Sequence, residues 1–230
     1  MNVIEIKLQI YLLKDIPQNK IQSKITSLID GALAKENNLL MLHNSNQYKN
    51  YCFNQPYPIE KDKLYKEGNI YTLTLRTIDK SLATFFNNKL VNEYNSELKA
   101  LKADIKVIPK KQIQKIYSLT PIILKTDSGY WKGVLSIDEF ERRLKENLIK
   151  KYKFITNEKI EAAFDLYTDI EFKNKKPIAT EYKGIKLLGD KINLEVADNP
   201  IAQELAYLSL GVGICEMNAR GFGFLNYQWI

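Results

Sequence analysis

Ile4, Ile6, Leu8, Ile10 and Leu12 alternate with Glu5, Lys7 and Gln9, a period of two that predicts a half-buried strand at the start of the chain. Pro17 then opens a stretch in which Ile21, Ile25, Leu28, Ile29, Ala32 and Leu33 recur at helical spacing. A short apolar run, Leu39 to Leu42, leads into the polar segment from His43 to Lys49, which reads as a loop. Tyr51 and Phe53 predict a brief strand that Pro56 and Pro58 end. Ile70, Tyr71, Leu73 and Leu75, with Thr72, Thr74 and Arg76 interleaved, predict another strand. Leu82, Phe85, Phe86, Leu90, Val91 and Tyr94 predict a second helix, and an extended region starts at Ile105 and runs through Ile113 and Ile116. This order is the split βαβ plan of a ferredoxin-like domain.

The plan then repeats as an order of elements, without repeating as sequence. A strand is expected at Thr120–Lys125. Ser136-Ile137-Asp138-Glu139 has the form of a capping box and precedes Phe140, Leu144, Leu148, Ile149 and Tyr152 at helical spacing. Strands are expected around Phe164–Phe172 and Tyr182–Val196. Asn199-Pro200 starts a helix carrying Ile201, Leu205 and Leu208, and a last strand is expected at Phe222–Ile230. The fold class expected is therefore α+β, two tandem ferredoxin-like (RRM-like) βαββαβ domains, residues 1–118 and 119–230.

At 230 residues and 26.7 kDa the chain can bury two cores. No apolar run approaches the roughly 20 residues that cross a bilayer, so no membrane span is expected. Neither is an export signal, since no basic region followed by an apolar core opens the chain. Cys52 and Cys215 stand alone, without CxxC or Cys/His spacing, which fits a reducing cytoplasm and points to no zinc site. With 34 Lys and Arg against 27 Asp and Glu, the net charge is +7, favouring a polyanionic partner. The abundance of Lys over Arg, and of Asn, is also what an AT-rich genome would encode.

Three constellations could carry chemistry. The run from Leu210 to Phe224 holds Gly211, Gly213, Gly221 and Gly223 between a helix end and a strand, where exposed amides could hold phosphates. The plainer reading is a helix cap at Gly211 and a glycine bulge leading into the strand. The run follows a helix and lacks a Gly-Lys-Ser/Thr, so it is neither a Rossmann fingerprint nor a P-loop. His43 is the only histidine, and it shares a polar loop with Tyr48, Lys49 and Tyr51. Finally, Lys106, Lys110, Lys111, Lys115 and Lys125 lie in a stretch free of acids, which could line an RNA groove or be a solvated face. Without DxD, HExxH or a His-Asp pairing, metal catalysis is not indicated, and no cofactor is expected.

The tandem plan, the GVGICEMNARGFGF run, His43-x5-Lys49 and the Thr120–Lys125 segment together resemble the CRISPR-associated repeat-processing endoribonucleases of the RAMP superfamily, over nearly the whole chain. The resemblance implies a cytoplasmic enzyme, monomer or homodimer, that binds CRISPR repeat RNA and cuts it without metal to leave a 2′,3′-cyclic phosphate. It implies a catalytic role for His43 and Lys49, and RNA contacts from Gly211, Gly213, Gly221 and Gly223; Arg220 in the same loop, and Lys110 and Lys111 of the acid-free stretch, are expected to bind RNA beside them. The seven-residue spacer from Ile214 to Arg220 is longer than the commonest form of the loop. No tyrosine lies between residues 12 and 47, where some members carry a catalytic one. The rival readings are a non-catalytic RAMP subunit bound to other CRISPR effector subunits, and a generic pair of RNA-binding domains. The second would call for an RNP1 string, and none is convincing.

Overall fold

The computed structural model describes residues 1–36, 47–161 and 163–230. Strand β1 (Val3–Leu12) and helix α1 (Ile21–Leu33) form where expected, with short β2 (Ile16–Pro17) between them. Then come β3 (Tyr51–Phe53), short β4 (Leu64–Tyr65), β5 (Ile70–Thr77), α2 (Lys80–Asn88) and β6 (Leu98–Ile108). Asp79 caps α2, its carboxylate accepting from the amides of Ser81 and Leu82. The sheet order is β3-β5-β1-β6, all antiparallel, with Ile6 opposite Leu75 on one side and Ile105 on the other.

The second sheet starts with β7 (Ile113–Ser118), inside the stretch expected to close the first half. Helix α3 (Ile137–Thr156) follows, capped by the Ser136 hydroxyl on the amide of Glu139. Next are β8 (Tyr167–Phe172), β9 (Ile178–Tyr182), β10 (Ile185–Gly189) and β11 (Ile192–Val196). Helix α4 (Pro200–Val212), capped by Asn199, leads through a short 3₁₀ turn, Asn218–Arg220, to β12 (Leu225–Trp229). The order β12-β7-β11-β8 matches β6-β1-β5-β3 strand for strand, so the two units share one ferredoxin-like topology.

Three expectations are corrected. Thr120–Lys125 makes only isolated bridges, Ile122 to Asp190 and Ile123 to Glu216. Pro121 has no N–H to give a central ladder, and Ile122 and Leu124 instead pack into the second core. Within Tyr182–Val196, positive φ at Lys183 (49°) and Gly184 (77°) folds β9 and β10 into a hairpin apart from β11. The last strand starts at Leu225, because positive φ at Gly221 and Gly223 breaks the pleat before it.

The two units are joined by buried polar contacts. Arg76 of β5 is 4% exposed, donates to Glu5 of β1 (2.8 Å) and to the Leu225 carbonyl of β12 (2.6 Å), and lies over the ring of Phe224. Burial pushes the Glu5 carboxyl up, but Arg76 and Lys106 outweigh it and hold the group below its usual range. Helix α4 lies directly on the first sheet: a Cβ at Gly211 would come within 2.7 Å of Ile78 Cγ2 and 3.2 Å of Val3 Cγ2. Tyr207 of the same helix accepts from the Val3 amide and donates to the Ile108 carbonyl.

Candidate RNA-binding cleft

A cleft of about 410 Å³ opens between the units. One wall is the segment Gln47–Tyr51 that leads into β3, a second is the loop Cys215–Arg220, and Asn147, Lys151 and Ile155 form a third. These last three are spaced by four on α3 and therefore share one face. Lys125 adds a further basic residue.

Each wall is fixed locally. Tyr48 packs edge-on against Phe154 of α3, ring centroids 5.5 Å apart. Burial, reinforced by Glu216, raises its phenol above the usual range and keeps it protonated. Lys49 has its ammonium pKa lowered, first by burial and then by Arg220, with Asp30 opposing. Arg220 donates to both oxygens of Asp30 on α1, at 2.8 and 2.6 Å, so the loop of the second unit is bolted to the first. Gln22 of α1 adds a bond to the Gly221 carbonyl at 2.6 Å. Behind the loop, Lys151 is 2% exposed and donates to the carbonyls of Gly213 (2.9 Å) and Cys215 (2.8 Å) and to Asn218 Oδ1 (2.6 Å). Burial pulls its pKa down to about 8.

The structure thus gathers Lys49 and Arg220 at one site, and places the other expected residues differently. His43 lies outside the described residues. Gly211 is inside α4, and the helix cap is Gly213. The amides of Gly213, Gly221 and Gly223 donate to Ser209, Asn218 and Pro121, so none of them is turned outward to a phosphate. Glycine is needed at 223 because a Cβ would come within 2.1 Å of the Ile214 carbonyl at a φ of +63°. Lys110 and Lys111 are not brought to the cleft. Lys110 is paired with Glu204, eight residues and about 12 Å of helix from Val212 at the cleft wall. Sequence reasoning misses Lys151, Asn147 and Asn218 as site residues, and counts Lys151 only among the basic residues of α3. The signal for Lys151 was there, because it continues the buried stripe Phe140, Leu144, Leu148 along α3.

The cleft is a cluster of cations with few acids, set where two ferredoxin-like units meet beside a glycine-bearing loop before the last strand, and its charge suits a polyanion. The family described as CRISPR associated protein Cas6, C-terminal, matches residues 101–227, and the chain belongs to the Cas6 family, whose members process CRISPR repeat RNA. It is 22% identical to CRISPR-associated endoribonuclease Cas6 2 of Methanocaldococcus jannaschii, across 97% of this chain and 99% of that protein. Its fold is similar to a solved CRISPR associated protein Cas6, with a TM-score of 0.72, 22% identity, and 98% and 99% of the two chains covered. A RAMP protein described as binding different RNA substrates is similar at a TM-score of 0.71 and 18% identity, covering 98% of this chain and 99% of its own. No helix among the described residues is long and apolar enough to cross a membrane.

Proposed function

We propose that this chain is an endoribonuclease that binds CRISPR repeat RNA in the cleft and cuts it once per repeat. The observation that carries the reading is the meeting of Tyr48, Lys49 and Arg220 in one basic cleft, with Tyr48 five residues along the chain from the only histidine.

In the proposed reaction the ribose 2′-oxygen attacks the adjacent phosphorus in line, and the bond from phosphorus to the 5′-oxygen breaks. A 2′,3′-cyclic phosphate and a 5′-hydroxyl result. One proton leaves the 2′-hydroxyl and one reaches the 5′-oxygen. His43 carries one of these transfers, and Tyr48, held protonated, is placed to supply the other. Lys49 stabilises the negative charge that builds on the phosphoryl oxygens, and Arg220 and the loop surface hold the RNA backbone. No step in this scheme requires a metal.

The test is cleavage of repeat RNA from the same genome, in EDTA, by wild type and His43→Ala. Single-site cutting by the wild type, lost in the variant while binding persists, is expected, as is uncut RNA when the nucleotide before the scissile phosphate is deoxy. Cutting of the deoxy substrate would refute 2′-hydroxyl attack. Tight binding without cutting by the wild type would make the chain a non-catalytic subunit instead.

A further inference from the structure

An ammonium has three N–H donors. In Lys151 all three are spent on the loop, at Gly213, Cys215 and Asn218, which leaves none to bond a phosphate. Asn218 passes the grip on, its Nδ2 donating to the carbonyls of Ile214 (2.8 Å) and Phe222 (3.0 Å). Both ends of the loop therefore converge on one buried ammonium–amide pair. The backbone held this way is one that residues with side chains resist: φ is +55° at Cys215 and +60° at Met217. Its outward face turns Glu216, Met217 and Arg220 to the cleft. No carboxylate pairs with Lys151 among the described residues, and Glu216 acts on it only through space.

We propose that Lys151 is a positioning residue for RNA recognition: it holds the 213–222 loop in the shape that presents Met217 and Arg220 to the cleft, without itself touching RNA. The recognition half of this statement rests on the proposed RNA function; the loop half does not. The donor count keeps Lys151 out of the scheme above, in which Lys49 acts on the reacting phosphate. It also explains why a lysine occupies a core position on α3. A shorter or apolar side chain there would leave three buried oxygens without donors.

Cys215 reports on the loop and Cys52, in β3, on the core; the two are 1% and 0% exposed. Burial holds both thiols up near about 12, so both should alkylate slowly in the folded wild type. Lys151→Met and Asn218→Ala are each treated with iodoacetamide, and the two cysteine peptides are followed by mass spectrometry. Repeat-RNA affinity and single-turnover cleavage at saturating RNA are measured on the same proteins. Cys215 should label roughly tenfold faster in both variants while Cys52 stays protected. RNA affinity should weaken roughly tenfold, with the saturating cleavage rate within about threefold of wild type.

Cys215 as protected as in the wild type would overturn the proposal, as would simultaneous labelling of both cysteines in both variants. A fall in the saturating rate with affinity unchanged would also overturn it, because Lys151 would then belong to the chemistry. If the wild type binds no RNA, the functional reading fails and takes the recognition half with it, and the Cys215 rates still decide whether Lys151 holds the loop.

Discussion

Arg76 and Lys151 are both buried cations near the junction of the two units, and they are neutralised in opposite ways. Arg76 has a carboxylate partner, Glu5, whose other oxygen also meets Lys106, and aromatic rings of Phe224 and Tyr227 lie against its guanidinium. Among the described residues, Lys151 is met by two carbonyls and an amide oxygen and by no carboxylate. The first arrangement closes its field locally and serves to join sheets. The second leaves a positive charge at the wall of the cleft, where an anion arriving from solvent gains from it.

The largest expected effect falls on the compensated centre. Arg76→Met leaves Glu5 buried with only the more exposed Lys106 and should cost about 3–5 kcal/mol. A melting temperature lower by roughly 10 °C would show it. Replacing Glu5 by Met as well should recover much of the loss, and an equally unstable double variant would break the comparison.

The uncompensated centre should reveal itself through pH. The folded pKa of Lys151, about 8, lies below the 10.5 of a free lysine, so above pH 8 the folded chain releases this proton before the unfolded chain does. By linkage, stability gains from this residue as pH rises from about 8 to 10.5, and the full burial penalty is present below that window. Denaturant unfolding of wild type and Lys151→Met across the window should show the difference shifting toward wild type by as much as about 3 kcal/mol. A difference that does not change with pH would mean that Lys151 is not a buried charge.

Lys49→Ala sharpens the contrast from the side of the cleft. It should slow cleavage about a hundredfold, as loss of a charge-stabilising donor does, with stability changed by less than about 1 kcal/mol. A stability loss as large as that of Arg76→Met would move Lys49 to the structural side. The smallest effect is expected at Lys110, an exposed ion pair with Glu204. Lys110→Ala should shift stability by less than about 1 kcal/mol and RNA affinity by less than about threefold.

Much of the fold is legible in the sequence where a single period governs a segment. Alternation marks β1 and β5, and Ser136 and Asn199 with Pro200 mark the starts of α3 and α4. Strand β7 is harder to read, because its buried positions, Ile113, Ile116 and Ser118, are out of step and β7 itself bulges at Gln114 against its partner β12. At the site, the sequence points to the segment around Lys49 and to Arg220, since residue type and loop position suffice for both. The packing roles of the glycines are not legible in it. Four glycines in one run suggest open backbone, whereas here Gly211 lets a helix approach a sheet and Gly223 avoids the Ile214 carbonyl. Lys151 is hidden among Lys145, Lys150 and Lys153, and only its place on the apolar stripe distinguishes it from those neighbours.

The Arg220–Asp30 pair and the bond from Arg76 to the Leu225 carbonyl tie the two halves through separate strands and helices, one at the cleft and the other buried between the sheets. Opening or closing the halves like a jaw would break at least one of them, and losing a hydrogen bond made by a charged group costs about 1.5–3 kcal/mol. The protein therefore meets its ligand as a fixed mould. Adjustment falls to the RNA, and a pliable single strand can supply it at lower cost than a stiff duplex.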